Sequence, residues 1–270
     1  MVLTSEYRVV LPMSVDEYQI AHLWSVAEQS KKETGGGEGV EVMKNEPFIN
    51  KETGKTGQYT YKKISKDSRV PAWIKMLAPE GSLDVFEESW NCYPDYKTTI
   101  TNGYMKDSFH ITITSKHEPF DGKFKNPHNI KDSKVNRVLV DIANDPRGDD
   151  KSEPNPATFL STKTGRGKLG ENWIDEGLKS LDSCPMMCSY KLVEVEFKCM
   201  FLQGKIENLI QSKSHQIITY FTRQLFCWID KWYDLTIEDI RELEAKTKAE
   251  LDTLKSEGAL RGMSLQAEKS

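Results

Sequence analysis

Several things are scarce or missing in this chain of 270 residues. No apolar run approaches the roughly 18 residues that a membrane span needs. The start Met1-Val2-Leu3-Thr4 has no basic stretch followed by an apolar core, so no secretory leader is expected. Positive charge is not in excess: the net charge is -4 and no basic stripe is present, which argues against nucleic-acid binding. Cysteine is sparse and odd in number, with Cys92, Cys184, Cys188, Cys199 and Cys227 scattered along the chain. Reduced thiols in a cytoplasmic protein are therefore expected rather than a disulfide framework. Zinc is not expected either, because Cys184 and Cys188 lack a second ligand pair at suitable spacing.

Catalytic machinery is also missing. The turn Gly35-Gly36-Gly37-Glu38-Gly39 breaks the dinucleotide pattern at Val40, and Thr164-Gly165-Arg166-Gly167-Lys168-Leu169 lacks the hydroxyl residue that follows a P-loop lysine. There is no G-x-S-x-G elbow, and His22, His110, His117, His128 and His215 form no recognisable pattern. No catalytic residue, metal or cofactor is expected, and the chain reads as a non-enzyme.

What the sequence does contain is material for one sizeable core, with 37% hydrophobic residues and no linker between two parts. Residues 1–270 read as a single domain. A short strand at Tyr7–Leu11 leads into a helix opened by Pro12 to Asp16, whose Ser14 and Glu17 form a capping-box pair. Strands are expected at Val40–Met43, Gln58–Ile64, Tyr96–Thr101, Phe109–Ser115, Val135–Ile142 and Tyr190–Lys198, in a mostly antiparallel sheet. Asn144–Pro156 reads as a mobile loop. A stripe through Ile206, Leu209, Ile210, Ile217, Phe221, Leu225, Trp228 and Trp232 predicts one helix from about Lys205 to Trp232, roughly 40 Å long. Thr236 with Asp239 starts another, with Ile240, Leu243, Thr247 and Leu251 at helical spacing.

Polar residues stand on faces that a core would fill with apolar ones. In Tyr190–Lys198, Lys191 shares a face with Val193, Val195 and Phe197. It is either a lysine reaching out from the strand end or an ammonium awaiting an anion. Thr60 and Lys62 share one face, Ser115 follows Ile111 and Ile113 on another, and Thr98 accompanies Ile100. Glu244 flanks the apolar stripe of the last helix, where it is either solvated or turned inward as an acceptor for sugar hydroxyls.

Several segments in order carry a resemblance: Glu6-Tyr7-Arg8, Ser14 to Tyr18, Gly37 to Val42, Asn45-Glu46-Pro47-Phe48, Gly57 to Thr60, Met76 to Gly81, Lys163 to Gly167, Cys188 to Val193 and Arg223 to Trp228. The set resembles class I phosphatidylinositol transfer proteins over nearly the whole chain. The resemblance implies an α+β, START-like helix-grip fold: a concave, mostly antiparallel sheet closed by long helices around a cavity for a single phospholipid. A lid helix and tail would occupy about 236–270. It implies exchange of one phosphatidylinositol or phosphatidylcholine molecule between membranes, by a monomer that is cytoplasmic and transiently associated with organelle membranes. The phospholipid would be cargo, with no cofactor.

By the same resemblance Thr60, Lys62, Asn91 and Glu244 would hold the inositol ring, and Thr98, Ser115 and Lys191 the phosphate. Ser115 replaces a family threonine, and His22 replaces a family glutamine near the headgroup. Cys199 and Met200, followed by Phe201, replace a membrane-docking tryptophan pair, and Trp73 is a second docking candidate. Ser161 stands at a phosphorylatable position. Transfer of phosphatidic acid or a sterol on the same fold, or lipid hydrolysis, is the alternative.

Overall fold

The computed structural model describes residues 2–51, 53–65, 75–76, 79, 82–147, 153–198 and 203–256. Eight strands form one sheet: β1 (Leu3–Leu11), β2 (Gly39–Ile49), β3 (Thr56–Ser65), β4 (Val85–Cys92), β5 (Asp95–Asn102), β6 (Phe109–Pro119), β7 (Asn136–Val140) and β8 (Met187–Phe197). Their order is β2-β3-β4-β5-β6-β8-β1-β7. Every neighbouring pair is antiparallel except β1 with β7. The helices are α1 (Val15–Lys32), the short α2 (Trp173–Leu178), α3 (Gln203–Cys227), α4 (Ile229–Trp232) and α5 (Ile237–Ser256). The architecture is the expected α+β sheet with long helices, and none of the described helices is long and apolar enough to cross a membrane.

Local chemistry starts and stops these elements. Ser14 Oγ accepts from Glu17 N at 3.0 Å while Glu17 Oε2 accepts from Ser14 N at 2.7 Å, closing the capping box on α1. Thr236 and Asp239 do the same before α5. The expected continuous helix to Trp232 is interrupted. At Trp228 the backbone turns to φ -95°, ψ 9°, and its ring packs edge-on against Trp24 at 5.3 Å. The Trp232 indole N–H then donates to the Leu225 carbonyl at 2.9 Å, satisfying an acceptor that the break releases.

Further differences from the sequence reading have physical causes. Strand β4 was not expected, because its alternation is inverted: Glu87, Ser89 and Asn91 line the cavity, while Phe86 and Trp90 on the other face pack against Tyr61 and Tyr59. Strand β2 runs on from Met43 to Ile49, and β7 is shorter than Val135–Ile142. The described ends of the loop Asn144–Pro156 are pinned. Arg223, 1% exposed, donates to the carbonyls of Ile142 and Asp145 and pairs with Glu153 at 2.6 Å. Residues 148–152 of that loop, and the tail 257–270, lie outside the described residues.

The densest core sits where β1 and β8 meet α1, α3 and α4, around Val9, Leu11, Tyr18, Leu225, Phe226 and Trp232. Helix α5 lies beside α1 and β2, so α1, α3 and α5 stand over one face of the sheet.

Candidate functional site

Strand register and the two-residue period determine what this face offers. One cross-strand row reads Gln58, Asn91, Tyr96, Ser115, Lys191 and Tyr7. The next on the same face reads Thr60, Ser89, Thr98, Ile113, Val193 and Ser5. The third reads Lys62, Glu87, Ile100, Ile111, Val195 and Leu3. Polar side chains thus gather on β3, β4 and β5 and along the first row. Apolar ones take over toward β6 and β8, facing Ile217, Ile218 and Phe221 of α3 across the cavity.

The cavity measures about 390 Å³. Thr60, Lys62, Asn91, Glu244, Thr98, Ser115, Lys191 and His22 all line it, so residues drawn from five strands and two helices are brought to one cavity. Ile217, read from the sequence as part of a buried stripe, is 45% exposed because it borders this space. Cys199, Met200, Phe201 and Trp73 lie outside the described residues.

Two polar groups of different character share the wall. Around β3, Lys62 Nζ pairs with Glu87 Oε1 at 3.2 Å, and Ser89 Oγ lies 3.0 Å from Thr98 Oγ1. From α5, Glu244 Oε2 accepts from Arg241 Nη1 at 2.8 Å and from Asn45 Nδ2 at 3.3 Å. This end is a mesh of donors and acceptors suited to hydroxyl groups.

The second group surrounds Lys191, which is 9% exposed, donates to the Tyr18 hydroxyl at 3.3 Å and stands directly opposite Ser115. The rings of His22 and Tyr96 are 4.9 Å apart, and those of Tyr18 and His117 are 4.6 Å apart. Burial holds the His22 imidazole well below its usual range, and the Lys191 and Lys62 charges push the same way. His117 is lowered by burial and then by Lys191 and His22. Burial also raises the Tyr96 phenol. Both imidazoles are thus neutral beside an ammonium, and the buried His22 Nδ1 has no hydrogen-bond partner among the described residues. Among the described residues this buried cation has no carboxylate in an ion pair with it, so the corner suits an anion.

Ser161 is 2% exposed and donates to Asp230 of α4, whose carboxyl the surrounding loop hydrogen bonds lower to about 2 against the opposing effect of burial.

A polyol-type mesh, an anion-type corner and an apolar remainder in one cavity describe a container for an amphiphile. A sequence model of the phosphatidylinositol transfer protein family matches residues 2–249. The chain is 52% identical over 270 residues to the phosphatidylinositol transfer protein beta isoform of Homo sapiens, covering 98% of each. The chain belongs to the class I phosphatidylinositol transfer protein family. It is also 41% identical over 258 residues to phosphatidylinositol transfer protein 5 of Dictyostelium discoideum, across 93% of this chain and 86% of that one.

Sequence reading missed several wall residues of this family member. Glu87 and Ser89 were hidden by the inverted pattern of β4. Asn45 was hidden by a bulge: the β2–β3 register shifts between Val42 and Lys44, so Val42 faces Lys62 but Asn45, not Lys44, faces Thr60. Tyr18 and His117 flank Lys191 without lining the cavity, and the sequence reading gave neither a role at the site. A search for polar residues converging on Lys191 could have found His117, one pleat from Ser115 on β6.

Proposed function

We propose that the protein binds one phosphatidylinositol or phosphatidylcholine molecule in this cavity and exchanges it between membranes. The observation that supports this is the grading of one wall, from hydroxyl-binding groups through an anion corner to aliphatic side chains. In this reading Thr60, Lys62, Asn91 and Glu244 hold the inositol ring. Thr98, Ser115, Lys191 and His22 hold the phosphate common to both lipids, and the acyl chains lie toward Ile100, Ile113, Ile217 and Phe221. A sterol has no use for the four ring-binding groups together, and a hydrolase would need a nucleophile with its base.

The cargo is then the only bound group, without cofactor or metal, and the protein works as a cytoplasmic monomer of one domain that docks transiently on organelle membranes. Helix α5 is the lid. Met200 and Phe201 supply weaker interfacial anchoring than tryptophans would, with Trp73 assisting. A phosphate on Ser161 would face the Asp230 carboxylate and separate α4 from its loop, which makes this serine the regulatory position of the scheme.

The test is mass spectrometry of lipids that co-purify with the protein, paired with vesicle transfer of each lipid. Phosphatidylinositol and phosphatidylcholine are the expected cargo. Lys62→Ala or Glu244→Ala should abolish phosphatidylinositol transfer while phosphatidylcholine transfer largely survives. Equal loss of both would assign these residues to folding.

A further inference from the structure

Helix α5 is tied to the body by polar contacts along its length. Lys255 Nζ pairs with Glu41 at 2.7 Å, Glu250 with Lys31 at 3.2 Å, and Glu244 with Asn45 at 3.3 Å. In the last of these both partners line the cavity. Asn45 does more than touch the lid. Its Oδ1 accepts from Gln58 Nε2 at 2.8 Å and from Thr60 Oγ1 at 3.2 Å, while its Nδ2 donates to Glu244 Oε2. One carboxamide therefore joins β2, β3 and α5, and contacts two of the four side chains assigned above to the inositol ring. The bulge in β2 turns it to this side of the sheet.

We propose that Asn45 is a further specificity-determining residue, which recognises the vicinal hydroxyls of a polyol headgroup and couples that recognition to closure of α5. This rests on the reading of the β3–β4–α5 end as the headgroup pocket. A carboxamide presents a donor and an acceptor side by side, so adjacent hydroxyls can accept from Nδ2 and donate to Oδ1. A hydroxyl inserted between Asn45 and Glu244 would donate to the carboxylate and accept from the amide, replacing the direct bond with a bridge that keeps α5 in place. A trimethylammonium headgroup has neither donors nor acceptors and gains nothing from Asn45. The residue thus discriminates between cargoes of equal charge at the phosphate.

The experiment uses the full chain and vesicles containing labelled phosphatidylinositol or phosphatidylcholine, with the ratio of the two transfer rates as the readout. Asn45→Ala should lower the phosphatidylinositol to phosphatidylcholine ratio about three- to ten-fold, the size expected for lost hydrogen bonds. Asn45→Asp keeps shape and the acceptor for Gln58 and Thr60 but sets an oxygen against Glu244. It should lower the ratio further, and it guards against a folding defect in the alanine variant. Lys62→Ala is measured in parallel. If it lowers the ratio and neither Asn45 variant does, or if the Asn45 variants slow both lipids equally, the role of Asn45 is overturned while the pocket reading stands. If Lys62→Ala also leaves the ratio unchanged, the pocket reading itself fails and the Asn45 proposal falls with it.

Discussion

Strands β1 and β8 are buried on both faces for most of their length, whereas β3 and β4 are half-buried along nearly all of theirs. In the first region Val9, Leu11, Leu225 and Trp232 fill the space between sheet and helices, and the opposite face is covered too: Tyr190 accepts from Lys125 N at 2.9 Å. In the second region the inner face carries Lys62, Glu87 and Ser89. Its cohesion comes partly from the outer face, where Tyr59 packs on Trp90 at 5.5 Å and Tyr61 stacks on Phe86 at 5.9 Å. One half of the sheet therefore uses its inner face for stability, and the other leaves that face to the cavity by moving aromatic packing outside. This teaches that polar strand residues here belong to a cavity wall rather than to a poorly formed core.

The largest expected effect tests the packed half. Trp232→Ala removes a 1% exposed ring and its bond to Leu225, and should cost about 3 to 5 kcal/mol of unfolding free energy. Urea unfolding checks it, and a loss no larger than that of a cavity-wall truncation would erase the contrast between the halves.

Next comes the boundary between them, at Lys191. Lys191→Ala should slow transfer of both lipids by about 10- to 100-fold, corresponding to roughly 1.5 to 3 kcal/mol for a charged hydrogen bond. A vesicle assay in which only the inositol lipid suffers would move Lys191 from the phosphate to the ring.

Acidification probes the same boundary. His22 and His117 are held below 6.5 in the folded protein, so the unfolded chain binds more protons as pH falls below that value. The stability that their neutrality contributes is complete above pH 6.5 and is lost as pH drops, by at most about 1.4 kcal/mol per histidine per pH unit. Comparing unfolding of the native chain and His117→Phe at neutral and mildly acidic pH isolates this share: the variant should show the shallower decline.

The smallest effect belongs to the open wall. Ile100→Ala trims a half-buried side chain that already borders the cavity, so it should cost only about 1 kcal/mol of stability, below the roughly 2 to 5 kcal/mol of the same truncation in a closed core. A loss as large as that at Trp232 would mean that the wall is part of the core.

Strands with apolar alternation, such as β6 and β8, were legible in the sequence, as were the capping boxes of α1 and α5 and the inward lysine at position 191. Each rests on neighbours within a few residues, so local pattern carries it. The same locality brought Thr60 with Lys62 onto one face, and the resemblance added Asn91, where pattern alone was silent. Strand β4 stayed hidden because a polar inner face and an aromatic outer face reverse the usual code. Asn45 stayed hidden because a single bulged residue inverts every side chain after it. By itself, then, the sequence determined the periodicities, the caps, the resemblance to a family and a set of polar residues out of place. Only tertiary structure decided that six of them meet in one cavity with Asn91 and His22, and that Asn45 bonds both to Thr60 and to Glu244, which lies 199 residues further along the chain. Register, bulge and helix packing are long-range pairings, and no local window of sequence contains both partners.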